Sequence, residues 1–529
     1  MGLRDRILDA ADGFSISFLD EHITVEVGTI WDRGAGFGNW IARRDLEGCA
    51  MVLSNTFACV ACLFGAIRTG SRLISIPLPP RGADLEWYQA FVESVCQQTG
   101  TSDLLMEEEL LAVIPPLQGI RVWSYQEVLR EPGTPLEVAG DFSLVQFTSG
   151  STAEPKGVVL NGADVVANVD AILERLAPGP NDNSCSWLPL SHDMGLIGML
   201  LGSCIAGVAG GARGGCLYLM TPEHFLRKPP DWLRACSQFA ATITAAPDFG
   251  FSLATRRAIP AYLDLAPLRV CIAGGEPVRA STLRSFANQF SASGFSSRAF
   301  CPSYGLAEAA LAVTMTPVAS DWESVRVDTL SLAGGNVEPS SNGMELVSSG
   351  TELVGYEVSA ETDSVGILKF RGPSQCHAYV GGHTLPVDND GWFVTNDLAF
   401  RNGGSLYVVG RSDDVLSVAG RNVYALDVEA ALNAVVGIRS GRAVALVDPS
   451  SRLLVIAELD GTSESDSIAV GQVLLKIRSA VSARIGLSPS EVIFVERGQL
   501  PMTASGKIRR GILADALRLD QLPIISRFR

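Results

Sequence analysis

The sequence predicts an α/β protein with a large N-terminal portion of several subdomains, built from α/β sheets with a β-rich part, followed by a small C-terminal α/β domain. Three observations carry this expectation. Short β-rich runs alternate with helical periodicity through the first three quarters of the chain. A length of 529 residues exceeds what a single hydrophobic core serves. A polar break, Gly410-Arg411-Ser412-Asp413-Asp414, precedes a tract long enough for one further small domain.

In chain order, Leu144 to Phe147 reads as a strand, and Val165, Val169, Ile172 and Leu176 recur at helical spacing. Ala240 to Ala245 and Arg269 to Ile272 are further strand candidates. The second of these runs into Gly274-Gly275-Glu276, and a Gly-Gly turn at a strand end is where open α/β sheets bind ligands. From Ser320 to Gly366 the composition turns to Ser, Gly, Glu and Val, which suggests an inserted or β-rich subdomain. Leu406 to Val409 reads as a strand, and the domain boundary is expected directly after it, dividing residues 1–410 from 411–529. Leu453 to Ala457, and a helix through Val470, Leu474, Ile477 and Val481, complete the small domain.

Composition excludes several function classes. Hydrophobic residues make up 47% and charged residues 19%, the balance of an ordered globular chain. A formal net charge of -16 and the lack of a dense basic stripe argue against a nucleic-acid partner. Met1 to Asp12 carries charges and no apolar run, so no secretory signal is expected there. Cys59 and Cys62 sit in an apolar helical pattern without a second pair, which favours a buried core pair over a metal or redox site. Reduced thiols imply the cytoplasm. Gly195 to Ala212 is uncharged but broken by six glycines, so it reads as a buried helix and a glycine-rich loop, with no membrane span expected.

Gln146 to Gly157 concentrates hydroxyls, glycine and one lysine between two strand-like runs. Thr148, Ser149, Gly150, Ser151 and Thr152 are small enough to leave N–H groups and hydroxyls free for phosphate oxygens, and Lys156 adds charge. A Walker loop is excluded, because Gly157-Val158-Val159-Leu160 continues as strand where that motif requires a helix. A solvated hydroxyl-rich turn has the same local composition.

This run resembles the signature loop of the adenylate-forming superfamily of acyl-CoA synthetases, fatty acyl-AMP ligases, adenylation domains and luciferases. Ser303-Tyr304-Gly305-Leu306-Ala307-Glu308 looks like the family's aromatic-G-x-x-E segment. Gly391 to Asp397 resembles its T-G-D segment, Gly410 to Asp414 its hinge, and Leu500 to Arg509 the C-terminal segment bearing its adenylation lysine, here Lys507. Trp187-Leu188-Pro189-Leu190-Ser191-His192-Asp193-Met194-Gly195-Leu196-Ile197-Gly198 and Ile76 to Arg81 are similar to fatty acyl-AMP ligases in particular. Val325 to Ser340 falls where those ligases carry an insertion that restrains the small domain and disfavours CoA.

The resemblance implies ATP and Mg²⁺ as cofactors and a carboxylic acid as substrate. An acyl carrier protein or CoA would be the thiol acceptor, and the small domain would be mobile about Asp413. It implies that Lys507 bridges carboxylate and α-phosphate, that Glu308 and Thr148 serve the metal, and that Thr148, Ser149, Thr152 and Lys156 hold pyrophosphate. Tyr304 would lie along adenine, Asp397 would take the ribose hydroxyls and Arg411 would lie near the nucleotide. Gly274, Gly275, Glu276, Ser303 and Gly305 complete the nucleotide set. His192, Asp193, Met194 and Gly305 are assigned to the acid, although His192 also fits a satisfied core histidine and Met194 a core residue. Asn396 departs from the family's glycine and Glu154 adds charge to the phosphate loop. A complete acyl-CoA synthetase, and a binding or acyl-transfer protein without ATP chemistry, are the rival readings.

Overall fold

A computed structural model describes residues 1–11, 13–79, 85–132, 141–148, 156–209, 215–256, 262–418, 421–433, 435–461, 467–502 and 508–529. Among these residues, two large mixed sheets dominate. The first has seven strands in the spatial order Ala378–Tyr379, Lys156–Asn161, Ser143–Thr148, Arg72–Ile76, Gly48–Val52, Asp103–Met106, Arg121–Ser124. Its last five strands are parallel, and Ser143–Thr148 turns back antiparallel into Lys156–Asn161. The second has nine strands, with a parallel centre of Phe300–Gly305, Val270–Ala273, Ile243–Ala246, Ser184–Ser186, Cys216–Leu219 and Ser15–Phe18.

Strand periodicity explains how these sheets stack. Cys49 and Met51 face one core while Ala50 and Val52 face another, because successive side chains leave a strand on opposite sides. The core containing Cys49 is shared between the sheets and is filled by the helices Phe57–Thr69 and Gly162–Leu176. Helix Leu85–Thr99 covers the outer face of the first sheet through Tyr88, Val92 and Val95. Helices Pro230–Gln238, Asp248–Arg256 and Ala280–Phe290 cover the second. Asn168, fully buried on Gly162–Leu176, bonds both backbone groups of Ala312 and so pins that helix to the second sheet.

The β-rich expectation after Ser320 is met by an antiparallel pair, Ser324–Val327 with Met344–Val347, and by a four-stranded antiparallel sheet that ends on Phe393–Asn402 and Ser405–Arg411. Beyond a hairpin, Val415–Val418 with Arg421–Tyr424, the chain builds a four-stranded sheet around Leu453–Leu459. Helices Ala425–Asn433 and Ser467–Ile485 pack on one face of it, and Leu500, Leu513 and Leu522 on the other. The segments read as strands and helices from the sequence take those forms, with ends displaced by a few residues.

All eleven cysteines are unpaired and buried, Cys59 and Cys62 among them on the Phe57–Thr69 helix. No helix among the described residues is long and apolar enough to cross a membrane. The Gly195 stretch is instead an eight-residue π-helix, Met194–Leu201, continued by the α-helix Gly202–Ala209. Such wide turns are rare and concentrate at functional sites.

Candidate active site

The carboxyl ends of the parallel strands open into a cavity of about 930 Å³. At Ala273 the chain leaves its strand through Gly274 and Gly275, the latter at φ +75°, a left-handed conformation that favours glycine. Glu276 then accepts the Phe249 N–H at 2.7 Å. Next to this turn, Ser303, Tyr304 and Gly305 end the neighbouring strand. A methyl group on Gly305 would lie 1.7 Å from the Leu311 carbonyl oxygen, so only glycine permits this strand crossing.

Tyr304 donates a 2.6 Å hydrogen bond to Oδ2 of Asp397, and burial beside that carboxylate pushes the phenol well above its ordinary range. Asp397 is opposite Arg411 in the antiparallel pair Phe393–Asn402 and Ser405–Arg411. The Arg411 Nε is buried without a partner among the described residues, although its terminal nitrogen is 3.7 Å from Asp413. Glu308 lies on the short helix Ala307–Ala309, which ends at Ala310 with φ +64°, a strained position for a residue with a side chain. Burial raises the Glu308 carboxyl, opposed by a 2.8 Å hydrogen bond from the Tyr379 hydroxyl. The Lys156 ammonium is 5.9 Å from the centre of the Tyr379 ring.

The opposite wall is set by Asn55. Its amide donates to the carbonyls of Leu188 and Met220 and accepts the N–H of Leu190, fixing the segment that delivers His192. His192 Nδ1 lies 2.5 Å from Oδ1 of Asp193, and Met194 starts the π-helix. All three line the cavity, whose apolar lining includes Ile197, Val169, Ile172, Leu176 and Ala206. His192 is therefore a cavity residue with a carboxylate partner rather than a core histidine.

The structure thus brings together Lys156, His192, Asp193, Met194, Gly274, Gly275, Glu276, Ser303, Tyr304, Gly305, Glu308, Asp397, Arg411 and Asp413 around one cavity. Ser149, Gly150, Ser151, Thr152, Glu154, Gly420 and Lys507 lie outside the described residues, as does the side chain of Thr148. The flanks of Lys507 are described: Met502 pairs with Ile508 in an antiparallel bridge, and both line the cavity.

Residues 49–379 match the family described as AMP-binding enzyme. The chain belongs to that family.

As an AMP-binding enzyme it is similar to the long-chain-fatty-acid–AMP ligase FadD28 of Mycobacterium tuberculosis, with 32% identity over 71% of this chain and 70% of that one. It is similar also to the long-chain-fatty-acid–AMP ligase FadD26 of Mycobacterium marinum, with 33% identity over 75% and 72%. A chain solved in studies of the fatty acyl-adenylate ligases from E. coli and L. pneumophila superposes with a TM-score of 0.89 at 25% identity, covering 98% of each chain. The L. pneumophila fatty acyl-adenylate ligase in complex with acyl adenylate and pyrophosphate shares the fold, with a TM-score of 0.72 at 23% identity over 100% and 98%.

The cavity also contains residues that the sequence did not flag. Tyr379 reaches Glu308 only because its two-residue strand pairs with Val158 and Val159, a contact of about 220 residues in separation that no local pattern encodes. Arg510, beside the motif arginine Arg509, bonds Asp414 at 2.6 Å and both oxygens of Glu429 at 2.8 and 2.7 Å. That network ties the residues after Lys507 to Asp414, in the segment expected to be the hinge, and to the helix Ala425–Asn433. Asn396 is exposed, and its amide lies 3.5 Å from Oδ2 of Asp413. The side chain that departs from the family's glycine thus lies beside Asp413, the residue expected at the hinge.

Proposed function

We propose that this AMP-binding enzyme joins a long apolar carboxylic acid to the AMP part of ATP, releasing pyrophosphate, and then passes the acyl group to the phosphopantetheine thiol of a carrier protein. The observation that carries this reading is one cavity with two chemistries. Tyr304, Asp397, Glu308 and Arg411 supply polar lining, and Val169, Ile172, Leu176, Ile197 and Ala206 supply apolar lining.

The acid's carboxylate attacks the α-phosphorus, and the bond to the β,γ-pyrophosphate breaks. Repulsion between the two anions at ~4 Å is about 4 kcal/mol at an effective dielectric of 20, so cations must offset it. Arg411, whose buried Nε has no partner among the described residues, fits an anionic ligand. Lys507 is assigned to the carboxylate and α-phosphate, and Thr148, Ser149, Thr152 and Lys156 to the leaving pyrophosphate. The partly satisfied, desolvated Glu308 carboxylate fits Mg²⁺, which is held by few carboxylates together with substrate phosphates. Such an ion would supply charge neutralisation on those phosphates. Tyr304 would stack along adenine while its hydroxyl holds Asp397 towards the ribose.

Residues 411–529 act in this reading as a second domain that turns about 411–414, exchanging Lys507 for the segment around Ser417 to Arg421. The thiol then attacks the acyl carbonyl and AMP leaves. A contact of the inserted segment supports a carrier protein over CoA. Val327 and Leu332 share a core with Phe400, Tyr407 and Tyr424, and the Tyr424 hydroxyl donates to the Leu332 carbonyl at 3.3 Å. The insertion thereby grips the start of the C-terminal portion. Eleven buried, unpaired thiols support a reducing, cytoplasmic setting.

The test is a panel of carboxylic acids with ATP and Mg²⁺, followed by addition of a phosphopantetheinylated carrier protein or CoA. Acid-dependent release of pyrophosphate with AMP, and a thioester mass on the carrier, is the expected result. ADP as product, or no acid dependence, overturns the first half; a CoA thioester formed as fast as the carrier thioester overturns the second.

A further inference from the structure

Arg509 spans two parts of the molecule. It follows Lys507 by two residues, yet its guanidinium carbon lies 5.1 Å from the ring centre of Trp87 on the helix Leu85–Thr99. The Trp87 ring stacks in turn on Phe91, with centres 5.8 Å apart and planes at 14°. All three residues line the cavity. Among the described residues the Arg509 side chain has no carboxylate partner, whereas Arg510 beside it is satisfied by Asp414 and Glu429. Neighbouring arginines thus face different ways: Arg510 fixes the segment to its own unit, and Arg509 reaches across the cleft. Trp87 is 38% exposed, an unusual position for so large an apolar ring unless its face has a second use. Tryptophan is the best of the aromatic partners for a cation.

We infer that Trp87 and Arg509 form a latch that holds the C-terminal segment in the arrangement used for acyl-AMP formation and must part before the thiol step. Both are positioning residues, since neither is required to touch the reacting atoms. The inference rests on the two-step function proposed above. A latch of this kind favours one of two arrangements without changing the chemistry within either, so it should separate the half-reactions.

The experiment measures acid-dependent ATP–pyrophosphate exchange and, separately, thioester formation from supplied acyl-AMP, in the full chain and in Trp87→Ala, Arg509→Ala and the double variant. Each single variant should lower the exchange kcat about five-fold with little change in KM, the scale expected of one cation–π contact. Thioester formation from acyl-AMP should be undiminished, the double variant no worse than either single one, and Trp87→Phe should recover most of the exchange. Unchanged melting temperatures would show that the fold is intact. Equal losses in both half-reactions, additive effects, or exchange at the unmodified rate would overturn the latch alone. Absence of acid-dependent exchange in the unmodified protein would overturn the parent reading and the latch with it.

Discussion

Tyr379 donates a 2.8 Å hydrogen bond to Oε1 of Glu308, joining an edge strand of the seven-stranded sheet to the short helix that follows Gly305. Burial raises the Glu308 carboxyl and this bond opposes the rise. Removing the hydroxyl removes an interaction that favours the ionised form, so in Tyr379→Phe the carboxyl should keep its proton to higher pH. Activity that depends on ionised Glu308 is present above its pKa and is lost as pH falls through it. The acid limb of the kcat/KM profile should therefore move to higher pH in the variant. An unmoved limb would detach Glu308 from the chemistry.

Arg411 offers a buried Nε that no described residue uses. Lysine keeps the charge but not this planar donor. Arg411→Lys should raise the KM for ATP about ten-fold, the scale of one lost hydrogen bond to a charged group. An unchanged KM would show that the nucleotide is held elsewhere.

Glu458 is fully buried in the C-terminal sheet, where one oxygen accepts the N–H groups of Gly498 and Leu500 and the other pairs with Arg439 at 2.7 Å. It sets the turn that leads into Pro501 and Met502. Glu458→Ala removes the partner of a partly exposed arginine and leaves two N–H groups unsatisfied, which should cost about 1–3 kcal/mol. Hydrogen exchange along Leu453–Leu459 reports that loss directly.

The 3.5 Å contact between Asn396 and Asp413 is at the outer limit of a hydrogen bond. Its removal in Asn396→Gly should speed the thiol step no more than about two-fold and leave pyrophosphate exchange unchanged. Rapid-quench measurement of thioester formation distinguishes this from a role at the ribose, which would alter the KM for ATP instead.

Ala206 and Leu176 are both part of the cavity's apolar lining. Ala206→Phe should shift the preferred acid to shorter chains, because the added ring takes up space in the apolar lining. Comparing kcat/KM across a chain-length series checks it; a uniform decrease would place the acid in another channel.

The large architecture was legible because strand and helix periods are local properties. Leu144 to Phe147, the helix through Val165 to Leu176 and Leu453 to Ala457 all lie within elements of the expected type. The polar residues of the site were legible through motif order, which brought Tyr304, Glu308, Asp397 and Arg411 to a single cavity. What escaped was held by sheet pairing and by cross-cleft contact. Tyr379 meets Glu308 through an edge strand of two residues, too short to carry a period. Trp87 meets Arg509 across more than 400 positions. The π-helix at Met194 looked like an ordinary apolar helix because hydrophobicity does not record whether backbone bonds span four residues or five.

The burial of every cysteine has a practical consequence. Burial pushes the Cys59, Cys96, Cys301 and Cys376 thiols up to about 12, leaving almost no thiolate at neutral pH. A single new cysteine placed on an exposed face of each portion, at Glu109 and at Arg518 for example, would take a fluorophore or spin label while the native eleven stay silent. The turn about Asp413 proposed above can thus be tested without first stripping the chain of its own sulfur.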